Sequence, residues 1–238
     1  MKTTHSYILV LLFSSLQLTG QISSSPQYRE CGSFVFSESF SSTVPDGWTG
    51  DFDSPPGVFL EGWILNSDST ETQMTGPEMA FDGDYYLYLE TSGPAPINST
   101  YQVTSPMISL STSGEKGLYF HTLMYGDETG SLTINAITSA GTDQLLVING
   151  EQHSDGSQSN WEEVFVDLSG YNGQDIQIQF VGMKATGNMG DIAIDTIQIC
   201  ELRSIPTLNQ WGLIILGLTL SILSINTVKS NQKRTQLS

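Results

Sequence analysis

Seven short segments rich in β-branched and aromatic residues, set apart by turn-forming residues, constrain this chain more than any other feature. They are 33–40 (SFVFSESF), 85–90 (YYLYLE), 118–125 (LYFHTLMY), 131–138 (SLTINAIT), 161–168 (WEEVFVDL), 175–181 (DIQIQFV) and 191–200 (DIAIDTIQIC). Most alternate apolar and polar positions, as a strand does when one face is buried and the other wet. Turn chemistry separates them: Val44-Pro45-Asp46-Gly47, Phe81-Asp82-Gly83-Asp84, Ser92-Gly93-Pro94 and Gly126-Asp127-Glu128-Thr129-Gly130. Many short strands punctuated by Gly and Pro predict an all-β antiparallel sandwich or barrel. The polar stretch from Thr49 to Met79 is read as a surface loop poor in strand.

The two ends have a different grammar. Lys2 precedes an apolar run from Tyr7 to Leu18, and small and polar residues follow. That order predicts a secretory signal over 1–21, then a short segment over 22–30. After the domain (31–201) and a linker (202–210), Trp211 to Val228 is free of charge and within the range of about 17–25 residues that crosses a bilayer. Lys229, Lys233 and Arg234 follow in the tail, 229–238. Basic residues stay on the cytoplasmic side, so the expectation is export, a single C-terminal transmembrane helix, the domain outside and the C-terminus inside. Ile205-Pro206-Thr207-Leu208, Trp211-Gly212, the apolar stretch and the basic end together resemble the IPTL-CTERM bacterial sorting signal. That resemblance implies a bacterial source and a membrane-embedded sorting enzyme as partner.

Charge excludes one class of partner. The chain has 25 Asp and Glu against 8 Lys and Arg, a net charge of −17. Between Cys31 and Cys200 the basic residues are Lys116 and Lys184. Binding nucleic acid requires clustered Lys and Arg, so no nucleic-acid partner is expected. Cys31 and Cys200 are the chain's two cysteines and bracket the domain. In an oxidising compartment they are expected to pair, closing a loop whose chain-entropy contribution is about 4–5 kcal/mol.

The order of features resembles a MAM domain, an extracellular jelly-roll β-sandwich of receptors, adhesion proteins and secreted proteases. The residues that carry the likeness are Glu38-Ser39-Phe40, Trp63, Gly76-Pro77, Asp82-Gly83, Tyr85 to Glu90, Thr104 to Ile108, Leu118 to Phe120, Met124 to Gly126, Gly130 to Leu132, Trp161 and Gly190 to Ile197. The chain departs from that pattern in having two cysteines rather than four, and Asp195-Thr196 where the family has an Asp pair.

Alternation places Phe34, Phe36, Glu38 and Phe40 on one strand face, and Ala193, Asp195, Ile197 and Ile199 on another. If Cys31 and Cys200 join antiparallel neighbours in unbroken register, Phe36 faces Asp195. Glu38 is then diagonal to Asp195, about 7–8 Å away at the backbone, with both acids opposite the cysteines. Two such carboxylates need a counter-charge. Lys116 and Lys184 are candidates, and a structural Ca2+ held by Glu38, Asp82 and Asp195 is the other, since oxygen ligands suit Ca2+. The MAM resemblance implies a cation near these positions in some members.

Catalytic signatures are missing from the sequence. His153-Ser154-Asp155 has triad residue types without triad spacing, and Asp51/Asp53 and Glu162/Glu163 are acid pairs expected by chance in so acidic a domain. Asn98-Ser99-Thr100 is a glycosylation sequon. The expectation is a non-enzymatic recognition or adhesion module binding an extracellular protein, a second copy of itself included. The rival is a carbohydrate-binding module or a relic of a jelly-roll glycoside hydrolase, with Trp48, Trp63 and Tyr171 stacking on the glycan.

Overall fold

In the computed structural model, residues 29–52, 62–204 and 212–223 are described. Twelve strands occur among them: β1 (Arg29–Glu38), β2 (Thr49–Gly50), β3 (Gly62–Asn66), β4 (Tyr86–Glu90), β5 (Thr100–Thr104), β6 (Ile108–Ser109), β7 (Lys116–Tyr125), β8 (Ser131–Thr138), β9 (Gly141–Asn149), β10 (Glu162–Asp167), β11 (Asp175–Met183) and β12 (Asp191–Ser204). They form two antiparallel six-stranded sheets. The first runs β10-β7-β12-β4-β3 with β1 also on β12, and the second runs β2-β5-β11-β8-β9 with β6 on β11.

Alternation explains how the sheets meet. Leu118, Phe120, Ile192, Ile194, Leu87 and Leu89 point inward from the first sheet, and Val103, Leu132, Ile134, Ile176, Ile178 and Phe180 from the second. Phe120 and Phe180 join the layers edge to face at 5.3 Å. Trp63 is wholly buried, and its indole N–H donates to the Tyr101 carbonyl at 3.0 Å. Gly182 makes room for it: a Cβ there would meet the Leu89 side chain at 2.5 Å and the Trp63 ring at 3.2 Å.

The stretch 49–79, expected to be poor in strand, contains β2 and β3. Trp63 pulls β3 into the core, which a reading by polarity overlooks.

β12 is the spine of the first sheet. β7 lies along one edge, while β4 pairs with residues 192–194 and β1 with residues 197–204 along the other. The first and last strands of the sandwich are thus antiparallel neighbours, and Cys31 and Cys200 are disulfide-bonded with Cα atoms 5.6 Å apart. The register differs from the unbroken one. Cys31 pairs with Leu202, Phe34 with Cys200 and Phe36 with Ile199, with shifts between Cys31 and Ser33 and between Phe34 and Phe36. A third bulge lies on β12, where Asp195 pairs with His121 but Gln198 pairs with Tyr119. Thr196, inside that bulge, has φ +48. An extra residue reverses the alternation beyond it.

Residues 1–28 and the motif residues Ile205, Pro206, Thr207, Leu208 and Trp211 lie outside the described residues; Gly212 opens a helix over 212–223. No helix among the described residues is long and apolar enough to cross a membrane. Of the expected span over 211–228, residue 211 and residues 224–228 lie outside the described residues. This helix and the sandwich belong to separate units, the latter being Arg29–Ile205.

Candidate functional site

The outer face of the first sheet carries the chain's most unusual chemistry. Asp191, Ala193 and Asp195 alternate outward along β12, and register sets Asp191 beside Tyr125 and Asp195 beside His121. β4 adds Tyr86, Tyr88 and Glu90 to this layer. The connection from Ser67 to Tyr85 covers it, closing a second small core of Ala80, Tyr86, Tyr88, Leu123, Trp161 and Ala193.

Asp195 latches that connection. Its Oδ2 accepts the backbone N–H of Phe81 at 2.9 Å and of Asp82 at 3.2 Å, and its Oδ1 accepts that of Thr196 at 2.6 Å. Burial pushes its carboxyl up to about 6, against the pull of those amides. The Phe81 ring stacks on His121 at 3.5 Å. Burial holds the His121 imidazole below its usual range, with the Asp82 charge opposing. Gln158 donates to the carbonyls of Ala80 and Phe81, and the Trp161 indole N–H to that of Met79.

Asp191 is a second latch, wholly buried. Burial first, then the Glu90 charge, pushes it up to about 7. Thr75 Oγ1 lies 2.8 Å from Asp191 Oδ2 and 2.8 Å from the Thr72 carbonyl. Thr75 Oγ1 shares its one proton between these two acceptors, and Asp191 Oδ1 accepts from the Thr91 N–H and hydroxyl, each at 3.4 Å. Glu90 keeps its own partners, the Ser92 N–H at 2.6 Å and the Tyr88 hydroxyl at 3.3 Å. Above this chain the connection turns at Met74, which is 70% exposed with φ +65. A cleft of about 280 Å³ opens there, lined by Thr70, Met74, Glu78, Tyr125 and Asp155 among others.

The expected Ca2+ ligands do not assemble. Glu38 pairs with Ile197, which faces the sandwich core, whereas Asp195 faces outward to the connection. The bulge at Thr196 therefore puts the two acids on opposite sides of the sheet. The same reversal returns Cys200 to the Asp195 side, since their partners Gly117 and His121 share a face of β7. Glu38 is raised by burial and lowered by the Trp48 indole, which stands short of a closed hydrogen bond. Asp82 offers Asp195 its N–H rather than its carboxylate. Hydrogen-bond donors surround Asp195, the opposite of a cation shell, and no group of three or more His, Cys, Asp or Glu among the described residues could hold a metal.

The lysines do not serve as counter-charges either. Lys116 is wholly buried, its Nζ donating to the Ser113 carbonyl at 2.6 Å and to Asn172 Oδ1 at 2.9 Å, and Lys184 Nζ is held by the Gly93 carbonyl.

Other candidates have structural work. His153 Nδ1 accepts the Met124 N–H at 2.9 Å, with Nε2 3.7 Å from Glu162, and Asp155 accepts the Ser157 N–H. Asp51 accepts the Gln102 N–H, and Asp53 lies outside the described residues. Trp48 and Trp63 are buried core, so neither is available to stack on a sugar, and Tyr171 donates to Asp143. Asp191 was missed, although it precedes Asp195 in the same alternation. Its partners Thr75 and Glu90 are far away in sequence.

The geometry defines a class: a disulfide-closed, two-sheet antiparallel sandwich whose buried acids fasten a long connection onto one face. Comparison with known proteins gives the family. The chain matches the profile "MAM domain, meprin/A5/mu" over residues 57–203, more than half its length, and belongs to that family. It is 28% identical over 169 residues to MAM domain-containing glycosylphosphatidylinositol anchor protein 2 of Mus musculus, covering 62% of this chain and 17% of that one. It is 25% identical over 149 residues to bacillopeptidase F of Bacillus subtilis, covering 61% and 10%. The chain thus spans under a fifth of the length of these relatives. Among solved structures, the K1 cleaved adhesin domain of Lys-gingipain from Porphyromonas gingivalis W83 is similar at a TM-score of 0.48 and 18% identity, covering 70% of this chain and 97% of that one.

Proposed function

We propose that this chain is a non-enzymatic recognition or adhesion module displayed outside the cell, with extracellular proteins as partners. The observation that carries the reading is MAM-family membership across most of the sandwich. The site supports it. Asp191 and Asp195 are consumed in holding the covering connection, Glu90 in holding the end of β4, and the His153 and Asp155 side chains in holding backbone, so these titratable groups act as fasteners. The connection they hold presents Met74 and Met79 to solvent, and apolar side chains on a pinned loop suit protein contact. Calcium has no part in this reading.

The same proposal takes residues 1–21 as the export signal and Ile205 to Arg234 as the sorting segment. Mass determination of the protein from its native host tests both ends.

Binding is tested with beads displaying the full chain, applied to cell surfaces treated with protease or with glycosidases. Adhesion abolished by protease and retained after glycosidase is the expected result. The converse pattern replaces the protein partner with a glycan.

A further inference from the structure

The covering connection sets Phe81 on His121, midway along the outer face of β7. Nearer Lys116, register places Tyr119 between Phe165 of β10 and Gln198 of β12. The next row sets Gly117 between Asp167 and Cys200, with Phe34 of β1 beside Cys200. Directly opposed residues share a side of the sheet, so all of these face outward with His121. This half of the face carries aromatic surface in water. Phe34 is 62% and Phe165 40% exposed, with Tyr119 and Leu202 half-buried beside them.

Gly117 shapes this surface. A Cβ there would collide with Phe165 Cε2 and meet Leu202 Cδ2 at 3.2 Å, so its absence lets the Phe165 ring lie down along the sheet. The Tyr119 ring is tilted against it, with 51° between the planes and centroids 5.1 Å apart. Alternation along β10 puts Glu163, Phe165 and Asp167 outward in line, an acid about 7 Å to either side of the ring. Both acids are exposed, and Asp167 also accepts the Ser169 N–H at 2.9 Å. Aromatic faces bracketed by carboxylates have the chemistry of a cation receptor.

We propose that this face receives arginine side chains of an extracellular partner protein, a guanidinium lying on Phe165 and bonding to Glu163 or Asp167. The inference rests on the recognition reading above and gives the partner a chemistry. A guanidinium is planar and weakly hydrated. It stacks on the negative face of a ring while its N–H groups, in the same plane, reach carboxylates at the ring's edge. Lysine, a compact and strongly hydrated charge, gains less from the ring. Charge sorts the occupants: a chain of net charge −17 attracts a cationic surface and repels an anionic lipid or glycan. A second copy is poorly matched, because its Lys116 and Lys184 are buried and bonded to oxygen atoms. Phe34 and Leu202 add apolar ground for the residues flanking the arginine.

The test is titration of the full chain with labelled oligoarginine, oligolysine and oligocitrulline peptides of equal length, followed by fluorescence anisotropy. Oligoarginine should bind tightest, and oligocitrulline, which keeps the shape without the charge, should show no binding. Phe165→Leu should weaken oligoarginine about three- to tenfold, while Phe165→Trp keeps it, which separates the ring from the fold. Glu163→Gln should weaken it, and Asp175→Asn, an equal charge change on the second sheet, should leave it unchanged. Rising salt should weaken both cationic peptides while the preference for arginine persists, since stacking is screened less. Equal affinity for oligoarginine and oligolysine, equal losses from Glu163→Gln and Asp175→Asn, or no effect of Phe165→Leu overturns the site. So does a self-association of the chain that Phe165→Leu abolishes. Protease-sensitive bead adhesion that survives Phe165→Leu and Glu163→Gln leaves the recognition reading standing without this site, so the two fail separately.

Discussion

Asp191 shows how a buried carboxyl holds a loop. Its carboxyl is raised from the ordinary 3.8 to about 7, by burial and by Glu90. A group whose pKa is raised in the fold binds more protons there than it does unfolded. Its stabilisation is complete below its unfolded pKa and is lost as pH rises through the folded one. Asp195, raised to about 6, acts with the same sign. The wild-type melting temperature is therefore expected to fall between pH 4 and pH 8. Asp191→Asn, which keeps an acceptor for Thr75 and removes the titration, should flatten that fall; thermal melts across the range measure it. An equal slope in both proteins would show Asp191 to be ionised in the fold.

At the scale of elements, the connection between β3 and β4 is held by Asp191 and Asp195 of β12, by Gln158 and Trp161, and by its own bonds from Thr70 and Thr75. Asp195→Ala leaves the Phe81, Asp82 and Thr196 amides without their acceptor. The expected cost is about 2–4 kcal/mol. Hydrogen exchange should show faster exchange at Phe81 and Asp82 with the β7–β12 ladder unchanged.

The seven segments expected as strands are all strands, because alternation against a core is a local signal. β9 was not expected, since Asp143 and Gln144 interrupt its apolar pattern and an edge needs only one neighbour. The pairing of the first and last strands followed from the two cysteines, but the face of each acid did not. One inserted residue at Thr196 reverses parity, and alternation cannot locate such a residue. The acid site was legible as residues but not as geometry. Asp195 was singled out for a cation and turns out to accept three amides.

For the whole molecule, the arrangement bears on metal dependence. Glu38 and Asp195 lie on opposite sides of the first sheet, and Asp82 turns its amide towards Asp195. The melting temperature is expected to be unchanged by a divalent chelator and by added Ca2+, as calorimetry would show. A rise of several degrees with Ca2+ would place a cation elsewhere in the chain. The disulfide is the bond that ties the two ends of the sandwich, joining residues 169 apart.

Sequestering Lys116 and Lys184 on carbonyl oxygens has a practical outcome. Between Cys31 and Cys200 no ammonium is left for an amine-reactive reagent, while Lys2, Lys229 and Lys233 stand near the termini. Amine coupling to a solid support would therefore spare the residues between the two cysteines.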